Sequence, residues 1–177
     1  LVMDAPAWAN LPDETRKQKL RDLKKCTEMS TRFNLLSSDN IRMIEALTRL
    51  SCDVFTHPDM VDRMACMLNY FLEKVTGRER REYRVRQKET VMFKPRSLLQ
   101  SLARIYSHLA ASNDFIMAIA KDGRSYHPGL FLQAADTLNK LGVVELGHEL
   151  TALASRVREA ALQEEVVTTL TLEAPEE

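Results

Sequence analysis

Glycine is scarce in this chain: five residues in 177, scattered singly, so no glycine-rich loop able to cradle a phosphate can be assembled. A surplus of charge is also missing. Lys and Arg number 25 and Asp and Glu number 25, so nothing global draws the chain to nucleic acid or to an anionic membrane. Cysteines are few and odd in number. No pair among Cys26, Cys52 and Cys66 has zinc-ligand spacing, which leaves reduced, buried thiols in a reducing intracellular compartment as the expectation. His57, His108, His127 and His148 never share a helical face with a second ligand type, so no metal site is predicted. No signal peptide and no apolar run long enough to span a bilayer occurs. Catalytic residues, cofactor, metal, nucleic acid and membrane are therefore all absent from the expected picture.

Helix formers are abundant instead, with aromatics at 6% and only six prolines. A chain of this size buries roughly 70% of its unfolded surface, enough for a sizeable core. The densest apolar segment is residues 58–75. Val61, Met64, Leu68, Phe71, Leu72 and Val75 follow helical spacing, and Met60, Ala65, Met67 and Tyr70 widen the stripe. Such a segment reads as an inner helix covered on several sides, its methionines serving as core.

Prolines and glycines punctuate the rest. Pro58, Pro95 and Pro128 suit first helical turns, and Gly77, Gly123 and Gly142 suit left-handed C-terminal caps. Helices are expected near residues 13–36, 38–55, 58–75, 95–111, 113–121, 128–141 and 143–163. Ile41, Ile44, Leu47 and Val54 would line the second, and Leu98, Leu102, Ile105 and Leu109 the fourth. Leu130, Ala134, Leu138 and Leu141 would line the sixth, and Leu146, Leu150, Leu153, Val157 and Ala161 the last. The first is crowded with Lys and Arg and anchored only by Leu20, Leu23, Met29 and Phe33. Short connections make consecutive helices antiparallel neighbours. Residues 76–94 read as a polar loop. Residues 164–177 carry β-branched and acidic residues and read as a non-helical linker. With a start at Leu1 rather than Met, the chain is taken as part of something longer, residues 1–163 forming one helical core.

Two clusters invite a chemical reading. Arg78, Arg80, Arg81, Arg84, Arg86 and Lys88 surround Tyr83, but Glu79, Glu82 and Glu89 dilute the run. It suits a solvated loop, or alternatively an independent helical protein-binding module that uses loop 78–88 to hold an acidic partner. Asp122, Ser125 and His127 lie within six residues and have the side chains of a hydrolase triad. A triad converges from separated elements, however, whereas a tight turn points its side chains apart. The expected roles are structural: Gly123 capping a helix, Asp122 and Arg124 pairing or bonding exposed backbone, and Ser125 or His127 opening the next helix. Asn69, amid apolar neighbours, is expected to be buried and bonded to backbone.

Several stretches together have a familiar order. They are residues 64–72 (Met-Ala-Cys-Met-Leu-Asn-Tyr-Phe-Leu), Phe93-Lys94-Pro95 with Leu98 and Leu99, Ile105-Tyr106, and Phe115 with residues 118–126 (Ala-Ile-Ala-Lys-Asp-Gly-Arg-Ser-Tyr). Over residues 58–138 this pattern resembles the conserved core of the U-box ubiquitin-chain elongation family. The resemblance implies an all-α, armadillo-like helical-repeat solenoid, here of about seven helices, followed by a U-box that residues 1–177 do not contain. It implies a ubiquitin ligase pathway without a catalytic cysteine, in cytoplasm and nucleus. It also implies an AAA-type segregase, ubiquitylated substrates and, through the U-box, a ubiquitin-conjugating enzyme as partners. Arg78, Arg80, Arg81, Arg84, Arg124 and Tyr126 are the candidate protein contacts.

Overall fold

The computed structural model describes Trp8, residues 10–77 and residues 88–172. Seven helices and no strand occur among the described residues: α1 (Asp13–Leu50), α2 (Cys52–Thr56), α3 (Pro58–Thr76), α4 (Pro95–Leu109), α5 (Asn113–Lys121), α6 (Leu130–Lys140) and α7 (Val144–Leu172). The all-α expectation holds, though three boundaries differ. The expected break near residue 37 does not form. Residues 13–50 contain neither Gly nor Pro, and Ser37 and Ser38 can sit within a helix with their hydroxyls on the surface or on a preceding carbonyl. The break comes at Ser51 instead, where the backbone leaves helical angles. At the other end α7 runs on to Leu172 rather than stopping near residue 163. The β-branched residues there cost only a few tenths of a kcal/mol each, roughly, and an established helix propagates through them until a breaker appears.

Pro58 and Pro95 open α3 and α4 as expected. Pro128 does not, because Leu130 is the first helical residue of α6. Gly142 has φ +77° and is the left-handed residue after α6. Gly77 is extended and Gly123 has no positive φ, so neither fills the left-handed role expected of it. The helix before Gly123 is capped by Asp122, whose amide donates to the Ile119 carbonyl.

The chain falls into two compact units, residues 1–39 with 86–94 and residues 40–85 with 95–177. In the first, α1 turns its polar side to the loop at residues 88–94. Thr31 Oγ1 donates to the Thr90 carbonyl at 3.3 Å and Asn34 Nδ2 to the Val91 carbonyl at 2.8 Å. The expected anchors largely face outward: Leu20, Met29 and Phe33 are exposed, and only Leu23 is half-buried.

The second unit holds the core. Tyr106, Phe115 and Phe131 are its largest fully buried side chains, joined by Leu68, Leu72, Leu102, Ile105, Ile119, Leu130 and Leu138. α6 packs along α7, whereas the nine-residue α5 packs on α3 and α7 rather than chiefly on its chain neighbours. Phe115, Ile116, Ala118 and Ile119 are all buried in α5, so the helix covered on several sides is this one. α3 is two-faced: Val61, Met64, Ala65, Leu68 and Leu72 are buried, whereas Met60, Tyr70 and Phe71 are exposed. Cys26, Cys52 and Cys66 are likewise exposed, against the expectation of buried thiols. Length explains both outcomes. A 19-residue helix against a few neighbours keeps one side in water however apolar its sequence, while a nine-residue helix can be enclosed.

A buried polar network under the 122–129 turn

Asn69 on α3, Tyr106 on α4 and Asp122 after α5 meet inside the core. The Tyr106 hydroxyl donates to Asn69 Oδ1 at 2.7 Å, and Asn69 Nδ2 donates to Asp122 Oδ2 at 2.9 Å. Asp122 Oδ1 accepts from the amides of Arg124 at 3.1 Å and Ser125 at 3.4 Å, and the Asp122 carbonyl accepts the Tyr126 amide. Asn69 and Tyr106 are fully buried and Asp122 nearly so. The apolar stripes place them there: Asn69 lies between Leu68 and Leu72, and Tyr106 between Leu102 and Leu109. Once carried inside, each polar head must find a partner. The Tyr106 ring meets Phe131 edge-on at 5.1 Å and tilts toward Phe115 at 6.0 Å, which fixes where its hydroxyl can reach. Asn69 is therefore buried as expected, but its partners are side chains rather than backbone.

Electrostatics follow from this burial. Removal from water, then the nearby Asp122 charge, hold the Tyr106 hydroxyl pKa well above 10.0. The Cys66 thiol, next to the network, is raised from 9.0 by partial desolvation, then by the Asp122 charge and a hydrogen bond to it. Because a thiolate is the reactive form, this environment quiets the thiol although the residue is exposed.

His127 belongs to a different contact. Its Nδ1 accepts the Gly129 amide at 3.2 Å, which leaves Nε2 to carry the proton and donate to Glu73 Oε2 at 2.8 Å. Glu73 is free to fold back there because Gly77 has no side chain; a Cβ at Gly77 would collide with the Glu73 carboxylate. The triad-like trio is thus dispersed: Asp122 faces Asn69 and the turn amides, His127 faces Glu73, and Ser125 gives its amide to Asp122. Neither Ser125 nor His127 opens α6; Gly129 is its N-cap. Arg124 is exposed and its guanidinium makes no hydrogen bond or ion pair among the described residues. Tyr126 is half-buried against Phe131 at 6.1 Å, its hydroxyl pKa raised by burial and pulled back in part by Arg158. Arg78, Arg80, Arg81 and Arg84 lie outside the described residues. No group of three or more His, Cys, Asp or Glu side chains able to hold a metal occurs among the described residues. No helix is long and apolar enough to cross a membrane among them.

Sequence analysis named Tyr106 only within the family pattern and gave it no role, and it did not single out Glu73 at all. A phenol on an otherwise apolar face, facing a helix that carries one buried amide, is the signal that pairs Tyr106 with Asn69. Glu73 gives no such signal, since 54 residues separate it from His127.

The family model for the ubiquitin elongating factor core matches residues 2–158. The cattle protein named ubiquitin conjugation factor E4 A is 33% identical over 138 residues, covering 78% of this chain and 13% of that protein. A thale cress protein named probable ubiquitin conjugation factor E4 is 34% identical over 171 residues, 89% of this chain and 16% of its own length. The budding yeast protein named E4 ubiquitin-protein ligase UFD2 is 34% identical over 105 residues, 59% and 11% respectively. The chain thus spans about a sixth or less of the length of each of these relatives.

Proposed function

This chain belongs to the ubiquitin elongating factor core family, and on that premise we propose that it is a non-catalytic helical scaffold which positions a following U-box for polyubiquitin chain extension. The relatives are ubiquitin conjugation factors by name, and a segment of their core fits that work. One observation carries the positioning role: the polar groups best suited to chemistry are consumed in holding the fold. Both carboxylate oxygens of Asp122 accept internal hydrogen bonds, and both ring nitrogens of His127 are engaged. α7 adds a stiff element. Its 29 residues extend for about 43 Å at 1.5 Å per residue, continuous from the core to Leu172. Holding a conjugating enzyme near an acceptor ubiquitin contributes to rate by removing association entropy from the transfer step. The partners in this reading are the conjugating enzyme, met through the U-box, ubiquitylated substrates and an AAA-type segregase, in cytoplasm and nucleus.

Chain-elongation assays test it in three arms: residues 1–177 alone, the same residues followed by a U-box, and that fusion with four glycines inserted after Leu172. The first should be inactive, the second active and the third weaker. Activity in the first arm, or equal activity in the second and third, would overturn the scaffold reading.

A further inference from the structure

α6 starts without the usual aids. Its N-cap, Gly129, has no side chain to offer, and its first turn carries no acid. His127 supplies both missing acceptors: its carbonyl takes the Leu130 amide at 2.9 Å, and its ring Nδ1 takes the Gly129 amide at 3.2 Å. The same ring donates from Nε2 to Glu73 on α3 at 2.8 Å. One imidazole therefore closes the start of α6 and ties the turn to α3. The first of these ring contacts exists only while the ring is neutral. A backbone amide can only donate, so Nδ1 must be bare to accept it. A second proton would set an N–H on Nδ1 against the N–H of Gly129, and would bring positive charge to a helix N-terminus, where it is disfavoured. The contact with Glu73 would strengthen instead, becoming a charge-assisted pair.

The surroundings leave this exchange to His127 and Glu73. From α3, Glu73 is the one carboxylate within 4.0 Å of the ring among the described residues, and Lys74 beside it rests over the Tyr70 ring at 5.4 Å. From α6, Gln133 near Gly129 is neutral, and Asp136 is paired with Lys140. Within the turn, Asp122 is committed to Asn69 and to the amides of Arg124 and Ser125. The His127 side chain is 39% exposed, so protons reach it from water. We propose that His127 is a proton-dependent clasp. Neutral, it holds α3 and closes α6; protonated, it holds α3 alone and residues 127–130 open. Histidines change charge between about pH 5 and 8, so acidification across that range works the clasp. The other half of the turn is held by Asp122 and stays shut. None of this rests on the scaffold role.

Solvent-exchange NMR of the backbone amides of residues 1–177, each rate divided by its intrinsic rate at that pH, reads the clasp directly. Between about pH 8 and pH 5 the protection of Gly129 should fall about five-fold, the factor for one lost hydrogen bond, in step with the ring signals of His127. The amides of Arg124 and Ser125 should keep their protection. In His127→Asn the side-chain oxygen can accept the amide two residues on and does not titrate, so Gly129 should stay protected throughout. In His127→Gln the longer amide reaches toward Glu73 instead, and Gly129 should be unprotected at every pH. In Glu73→Gln the loss should persist, because the cap belongs to Nδ1. Unchanged helical dichroism in each variant separates an open turn from a lost fold. Gly129 protected alike at both pH values would overturn the proposal. So would a pH-dependent loss in His127→Asn, its disappearance in Glu73→Gln, or Arg124 and Ser125 losing protection together with Gly129.

Discussion

α1 and α4 are both amphipathic, and they use their two faces in opposite ways. α4 buries its apolar face: Leu99, Leu102, Ile105, Tyr106 and Leu109 are each at most 1% exposed. α1 has only Ile41 and Thr48 buried along 38 residues and turns all its leucines but Leu23, and both its methionines, to water. Periodicity tells that a helix has two faces; which one lies inside depends on what is beside it. Polar contacts hold α1 on its inner side: Asn34 to Val91, Glu45 to Arg104 at 3.2 Å, and Thr48 to His108 Nδ1 at 3.0 Å. Such bonds are individually worth about 1 kcal/mol, enough to fix register but far less than a buried apolar stripe.

The largest test of this contrast pairs one leucine from each helix. Leu102→Ala on α4 should cost about 2–5 kcal/mol in urea unfolding, because it leaves a cavity among fully packed neighbours. Leu47→Ala on α1 should change stability by no more than about 0.5 kcal/mol in residues 1–177. Equal costs would break the comparison.

Next in size is a pair of asparagines. Asn69→Ala strands the buried Tyr106 hydroxyl and one Asp122 oxygen, at a cost of about 1–3 kcal/mol. Asn34→Ala removes a half-buried bond whose carbonyl partner can turn to water, and should cost about 0.5–1 kcal/mol. Proteolysis between residues 122 and 129 should accelerate in the first variant alone, since only that one frees the turn.

The smallest effect separates the helices by pH. Tyr106 on α4 has a folded pKa above its unfolded value, so the native state keeps a proton that the unfolded chain releases. Its stabilising contribution is full below about pH 10 and declines as pH rises further, by up to about 1.4 kcal/mol per unit. Cys66 and Tyr126 act in the same direction. Tyr106→Phe should flatten the alkaline limb of a stability-against-pH curve, whereas no variant along the apolar stripe of α1 should alter its slope. An unchanged slope in Tyr106→Phe would show that the hydroxyl is not protected as described.

Much of the fold was legible. Pro58 and Pro95 mark helix starts because a residue lacking an amide hydrogen loses nothing there. The stripes through Leu102 and Leu109, and through Leu150, Leu153 and Val157, meet the core as read. Residues 58–75 misled because an apolar residue count says nothing about how many neighbours a helix has, so Met60, Tyr70 and Phe71 ended outside. At the turn of residues 122–129 the bonding of Asp122 to exposed backbone amides was recognisable. The turn's partners Asn69, Tyr106 and Glu73 were not, since hydrogen bonds across 37 to 54 residues leave no spacing to read.

Local chemistry in the chain determined that it would be helical and where most helices start, because backbone propensity, proline geometry and apolar period act over a few residues. It also carried the family pattern. Tertiary packing alone decided which face of α1 turned inward, that α5 would be enclosed while α3 kept a wet side, and that Asn69 would find Tyr106 and Asp122. Those outcomes depend on distances between residues far apart in sequence, and only the assembled core sets them.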